Sequence, residues 1–171
     1  MTLFVLAMIA PIGAIDVLYY HLFRFRLFER EQSVAEEITH LMRHLTFVAL
    51  VALLSRGVCD GWTDAAVITL FAIDLVNSSA DVLLEPRSRQ ALGGLPAGEY
   101  FLHFLGTFGV AIATATYFFE RASLPIAPAE GWPALQSTLM IASGLGLFAL
   151  EAGLFVRALR ARAKRLVPAS A

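Results

Sequence analysis

Five runs of apolar residues, each about 20 long, organise this chain. They cover residues 3–24, 33–54, 63–85, 98–119 and 134–154, and the last continues as a basic helix to about residue 166. A helix rises 1.5 Å per residue, so about 20 residues cross the roughly 30 Å hydrocarbon layer of a bilayer. The pattern predicts an all-α fold, a polytopic membrane helix bundle of five transmembrane helices forming a single domain over residues 1–171. The first run lacks a basic start and passes into Tyr19, Tyr20 and His21 without a small-residue cleavage site. It therefore reads as a span, not as a signal peptide.

The joints between runs carry helix punctuation. Ser33-Val34-Ala35-Glu36 has the spacing of a capping box opening the second helix. Pro86 is expected to end the third, because the residue before proline is pushed out of helical geometry. Gly93, Gly94 and Pro96 break the chain before the fourth run, and Pro125, Pro128 and Pro133 before the fifth. Trp62 and Trp132 fall where an aromatic belt would lie, on the same face of the membrane.

Composition agrees. Apolar residues make up 58% of the chain and charged residues 16%, with a mean hydropathy of +0.69; a soluble domain is about 45–50% apolar and about 25% charged. This excludes a disordered chain, a nucleic-acid partner bound by a basic surface, and most soluble enzymes. The 13 basic and 14 acidic residues nearly cancel. One cysteine, Cys59, excludes an internal disulfide and a cysteine-ligated zinc or iron–sulfur site, and reads as an inert small residue near the outer face. Arginine supplies all but one of the basic residues, which points to a GC-rich bacterial genome and so to a bacterial inner membrane. Arg24, Arg26, Arg30, Arg87, Arg89 and the tail from Arg157 to Arg165 lie on one side, against Arg56 and Arg121 on the other. The positive-inside rule then sets the N-terminus outside and the tail in the cytoplasm.

Ionisable residues inside a span cost a few kcal/mol each, and they tend to face the bundle interior. This chain carries Asp16 in its first run, Glu37, His40, Arg43 and His44 in its second, Asp74, Asp81 and Glu85 in its third, Glu99 and His103 in its fourth, and Glu151 in its fifth. At 100° per residue, Glu37, His40 and His44 fall within about 60° of one another. Asp74, Ser78, Asp81 and Glu85 form a second stripe of about the same width. Glu99 and His103 are about 40° apart. Asp16 shares a face with Tyr20, while His21 points elsewhere. Asp16, His40, Asp81 and His103 also share a depth, roughly 5–15 Å from the cytoplasmic end.

Imidazole and carboxylate together suit a divalent metal: iron first, with zinc or manganese as alternatives. Glu37-Ile38-Thr39-His40 has the Glu-x-x-His spacing used by ferritin-like di-iron proteins, whereas Glu99 and His103 are one residue further apart. The expected ligands are Glu37, His40, His44, Asp81, Glu99, His103 and Asp16, with Tyr20, Arg43, Asp74, Ser78 and Glu85 around them. The leading functional expectation is a dinuclear, non-haem metal centre in an oxidoreductase that acts on a lipid-soluble substrate. The alternatives are a zinc hydrolase using a metal-activated water, a b-type haem protein with His40 or His44 opposite His103, a transporter, and a non-catalytic subunit whose polar residues only hydrogen-bond one another. The outer halves of the second and fourth helices offer almost no ionisable group, which counts against transport. No phosphate-binding loop or nucleophile elbow is present, and four histidines are too few for an eight-histidine desaturase site.

Individual residues have plainer readings beside these. Glu36 reads as a cap, Glu85 and Glu99 as solvated helix ends, and His21 as an interfacial histidine. Arg43 would pair with Glu37 or Asp81, and Asp74 with Asn77 or Arg43. Glu151 stands alone on the fifth helix. Ala142, Gly146, Ala149 and Gly153 make a small-residue ridge for packing within the bundle, or alternatively for a homodimer seam. The basic tail predicts attraction to anionic membrane lipids and orientation anchoring.

Overall fold

A backbone in an apolar run satisfies its polar groups most readily within its own segment, so each run closes into a helix. A computed structural model describes residues 1–58 and 60–166; Cys59, and with it the reading of an inert outer-face residue, lies outside the described residues. Helix α1, Thr2–Ile15, continues unbroken as a π-helix over Asp16–Arg24. Two 3₁₀ turns, Leu27–Glu29 and Glu31–Ser33, lead into α2, Val34–Arg56. Then come α3, Gly61–Arg89, α4, Ala97–Glu120, and α5, Gly131–Leu166. Five helical segments are long and apolar enough to cross a membrane.

Helix ends depart from the expected punctuation in three places. At α2, Ser33 makes no cap: its hydroxyl pairs with Ser88 Oγ at 2.7 Å, and Glu36 turns to Arg89. The capping box stands instead at α3, where Asp60 Oδ1 accepts from the Thr63 N–H at 2.7 Å and from its hydroxyl at 2.9 Å. The Thr63 bonds hold the Asp60 carboxyl below its ordinary pKa. Helix α3 does not end at Pro86 but runs on to Arg89. Proline removes one donor and crowds the preceding turn, yet Ser88 and Arg89 are bonded to other helices and hold that last turn in place. Pro133 lies within the first turn of α5, where its missing N–H would have no partner in any case.

Helix α2 packs against α3 and α5, and α1 against α4 and α5. At the Met1 end, the terminal amine is ion-paired with Glu120, and Asp64 accepts from Tyr117 Oη and Arg121 Nε, each at 2.8 Å. An apolar core follows, built on Leu6, Leu50, Val51, Leu54, Val67, Phe71, Ala113 and Met140. The expected ridge on α5 does not pack inside this bundle: Ala142, Gly146, Ala149 and Gly153 are all exposed. The close approach falls on Gly144 instead, where a Cβ would sit 2.7 Å from Val48 Cγ2. The ridge reading followed sequence spacing alone, whereas the inward face of α5 is set by Ser137, Met140, Gly144, Glu151 and Phe155, all of them buried.

The loops at the Met1 end are tied by a bridge between Val58 and Ile126. Gly57 makes that approach possible. Its φ is +84°, and a Cβ there would lie 2.7 Å from Ile126 O and 2.8 Å from Pro128 N. Such backbone conformations cost about 1–3 kcal/mol for residues other than glycine. Gly57→Ala is therefore expected to lower stability by at least that amount in detergent unfolding; an unchanged midpoint would contradict the close approach.

Candidate metal centre

At the opposite end, polar side chains from all five helices converge. Helix α2 turns Glu36, Glu37 and His40 inward, α3 turns Ser78, Asp81, Glu85, Ser88 and Arg89, and α4 contributes Glu99. Asp16, Tyr20 and His21 enter from the π-helix, and Glu151 from α5; all of these are buried. Seven buried carboxylates thus share this end with four histidines and one fully buried guanidinium, that of Arg89.

Asp16, His21, Glu99 and His103 form the first group, with one ligand atom from each lying within 4.8 Å of the others. His103 Nε2 is 2.8 Å from Asp16 Oδ2, and its Nδ1 is 2.5 Å from Glu85 Oε1. His21 Nε2 lies 3.4 Å from Glu99 Oε1 and 3.7 Å from Asp16 Oδ2. The second group is Glu36, His40 and Asp81. His40 Nε2 is 3.2 Å from Asp81 Oδ1, which also accepts from Thr39 Oγ1 at 2.8 Å. A third group joins His21 and His40 to Glu151. The His21 ring links the halves, with its centroid 4.1 Å from that of His40 and 6.2 Å from that of His103.

Arg89 lies between the first two groups. Its Nη1 donates to Glu36 Oε2 at 2.9 Å and its Nε to Glu99 Oε1 at 3.2 Å, while Nη2 also pairs with Glu99. Counted from sequence as a loop arginine, it is instead wholly buried. Arg43 is the other nearby cation, with Nη1 3.6 Å from Asp81 and Nε 3.8 Å from Asp74. Asn77 does not pair with Asp74; its amide donates to Thr39 O at 2.8 Å. Ser78 reaches Asp74 at 3.5 Å.

Of the seven expected ligands, Asp16, His40, Asp81, Glu99 and His103 fall in these groups, while Glu37 and His44 do not. Glu37 is fully buried, and neither of its oxygens has a hydrogen-bond partner. His44 Nε2 pairs with Glu151 Oε2 at 2.9 Å, so Glu151 does not stand alone. Glu85 and Glu99 are buried members of the network, not solvated helix ends.

His21, Glu36 and Arg89 are the residues that sequence patterning missed. For His21 the cause is the π-helix. In an α-helix, residues five apart point about 140° away from each other. A π-helix bonds i to i+5, which brings His21 over Asp16. Nothing in a 100° periodicity signals that change. Glu36 had a signal, since it is four residues from His40, but the capping reading absorbed it. Arg89 was hidden behind Pro86.

Buried polar atoms are nearly always hydrogen-bonded. Among the described residues eight lack a partner in hydrogen-bond geometry: Glu36 Oε1, His40 Nε2 and Glu85 Oε1, which have ion-pair contacts to Arg89, Asp81 and His103, and Asp16 Oδ1, His21 Nδ1, both oxygens of Glu37 and Glu151 Oε1, which have none. All are oxygens or imidazole nitrogens, the atom types that ligate iron, manganese and zinc. No family model, curated protein or solved structure matches the chain, so no relative assigns a role to any of these residues.

Proposed function

We propose that the chain is an integral membrane metalloprotein whose His/carboxylate centre holds a pair of divalent metal ions, iron first. The observation that carries this reading is an excess of buried acid: among the described residues, seven buried carboxylates share this end with one fully buried guanidinium, the half-buried Arg43 and four histidines, and neither Glu37 oxygen has a hydrogen bond or an ion pair. Buried carboxylates need protons, cations or metal ions to offset lost hydration. Two dications among Asp16, His21, Glu36, His40, Asp81, Glu99 and His103 would supply positive charge there and partners for the orphaned atoms of Asp16 and His21, while those of Glu37 and Glu151 lie outside this set. Glu85, against His103 Nδ1, would fix the ring so that Nε2 faces the ion, a common carboxylate–histidine–metal arrangement.

The outward surface supports the membrane reading: Leu75, Leu83 and Phe119 are 67%, 80% and 81% exposed. We take the membrane as a bacterial inner membrane, on the arginine-rich composition, with the N-terminus outside and the tail in the cytoplasm, an orientation that Arg24, Arg26, Arg30, Arg87 and the tail arginines support. The centre would then lie below the headgroups, within reach of a lipid-soluble donor and of dissolved dioxygen. The reaction proposed is oxidation of such a donor. Two donor molecules each release two electrons and two protons, and one dioxygen takes up all four of each to give two waters. Iron would carry the electrons, and the carboxylates would accept and release the protons. A haem between His40 and His103 is disfavoured, because the His21 ring lies beside both. Transport is disfavoured by the apolar core between this end and Asp64.

Metal analysis of protein purified from membranes tests the reading. About two iron, manganese or zinc ions per chain are expected, falling to background in a His40→Ala/His103→Ala double variant that remains folded by circular dichroism. Background metal in the unaltered protein would overturn the reading and leave a buried ionic network. Zinc without iron would move the chemistry to hydrolysis.

A further inference from the structure

We propose that the groove between the far end of α5 and the turn after α1 binds the phosphate headgroup of an anionic phospholipid. The proposal rests on the membrane reading above but not on the metal. A basic tail alone predicts only diffuse attraction to lipid; the fold makes a cavity of about 400 Å³ there.

Its shape follows from the side chains. Leu154, Ala158, Ala161 and Arg165 follow i, i+4, i+7 and i+11 spacing, one face of α5. The two alanines end at Cβ, so this face recedes. Phe28 closes the other wall from the 3₁₀ turn and is 7% exposed. Arg26 comes from the turn, and Arg157, Arg162 and Arg165 come from α5. Arg162 Nη2 donates to Phe28 O at 3.2 Å, which ties the two walls together and leaves most of its guanidinium donors free. Glu29 is the one acid on the lining and is already paired with Arg26 at 2.5 Å.

Three arginines beyond the Arg26–Glu29 pair, Arg157, Arg162 and Arg165, beside an apolar wall match a phosphodiester joined to acyl chains. Guanidinium groups bind phosphate oxygens in a bidentate, charge-assisted way. Leu154 and Phe28 offer apolar surface beside them. Basic pockets between helices at the cytoplasmic face are a recognised form of headgroup site.

Native mass spectrometry of the full chain in detergent, titrated separately with phosphatidylglycerol, phosphatidylcholine and inorganic phosphate, tests the proposal. Phosphatidylglycerol is expected to be retained at a concentration at least about tenfold lower than phosphatidylcholine. An R162Q/R165Q variant should lose most of that preference. An R160Q/K164Q variant removes the same charge from residues that do not line this groove and should keep it. Equal loss in both variants would show diffuse attraction and overturn the site. Retention of inorganic phosphate as tight as that of the lipid would overturn the lipid assignment. Release of the chain from membranes by alkaline carbonate would defeat the membrane reading itself, a separate outcome.

Discussion

Replacing Arg89 with methionine is expected to lower the unfolding free energy by about 3–5 kcal/mol, or to prevent folding. Methionine keeps much of the volume but removes the one guanidinium fully buried among the described residues, leaving Glu36 and Glu99 without their shared cation. The loss comes from stranded charge, not from the absent bond alone. Changing the two partners as well, as Arg89→Met with Glu36→Gln and Glu99→Gln, should therefore recover a large part of it, because an ion cluster replaced as a set is often nearly neutral. Unfolding in detergent, followed by circular dichroism, reads both effects. A methionine variant that unfolds with the unaltered protein would show that Arg89 carries no such charge balance. Metal binding would compensate the same carboxylates, so saturating metal should narrow the gap. Occupancy at about 100 times the dissociation constant adds about 2.7 kcal/mol to the folded state.

The second large effect is expected at His21. His21→Ala removes the ring that stands between the Asp16, Glu99 and His103 group and the Glu36, His40 and Asp81 group, the two proposed ion sites. Loss of a group that merely orients a ligand weakens metal binding about 10–100-fold, so loss of a residue shared by two ligand groups should exceed that range and at least halve the metal per chain. His44→Ala is the matched control. Among the described residues His44 belongs to none of the candidate groups and pairs with Glu151, so its removal should leave stoichiometry intact and lower affinity modestly. If the two variants lose metal equally, His21 is not a ligand and the proposed pair of ion sites on either side of it fails. Metal analysis after equilibration against a chelator series distinguishes the cases.

Much of the bundle was legible from the chain because lipid-compatible helices obey one strong rule: a long apolar run must satisfy its own backbone. The five runs, and the depth shared by Asp16, His40, Asp81 and His103, follow from residue type and a 1.5 Å rise. The faces of α2, α3 and α4 followed too, since those helices keep the ordinary period through the polar layer. Glu36 and Glu37 show the limit of that reasoning. They are neighbours of one type, both buried, yet Glu36 meets Arg89 and His40 while Glu37 meets no hydrogen-bond donor. Periodicity preferred Glu37 because it cannot know which helix packs against which side.

Residue order thus determines which segments become helices and how deep each charged group lies, for these depend on local hydrophobicity and fixed rise. The identity of the groups that meet depends on packing. The π-helix turns His21 onto Asp16, the last turn of α3 outlasts Pro86 to carry Arg89 inward, and α5 presents Glu151 instead of its glycine ridge. Each is a local rule overridden by contacts between segments distant in the chain, where a buried charge gains more from a partner than the helix loses by bending its own preferences.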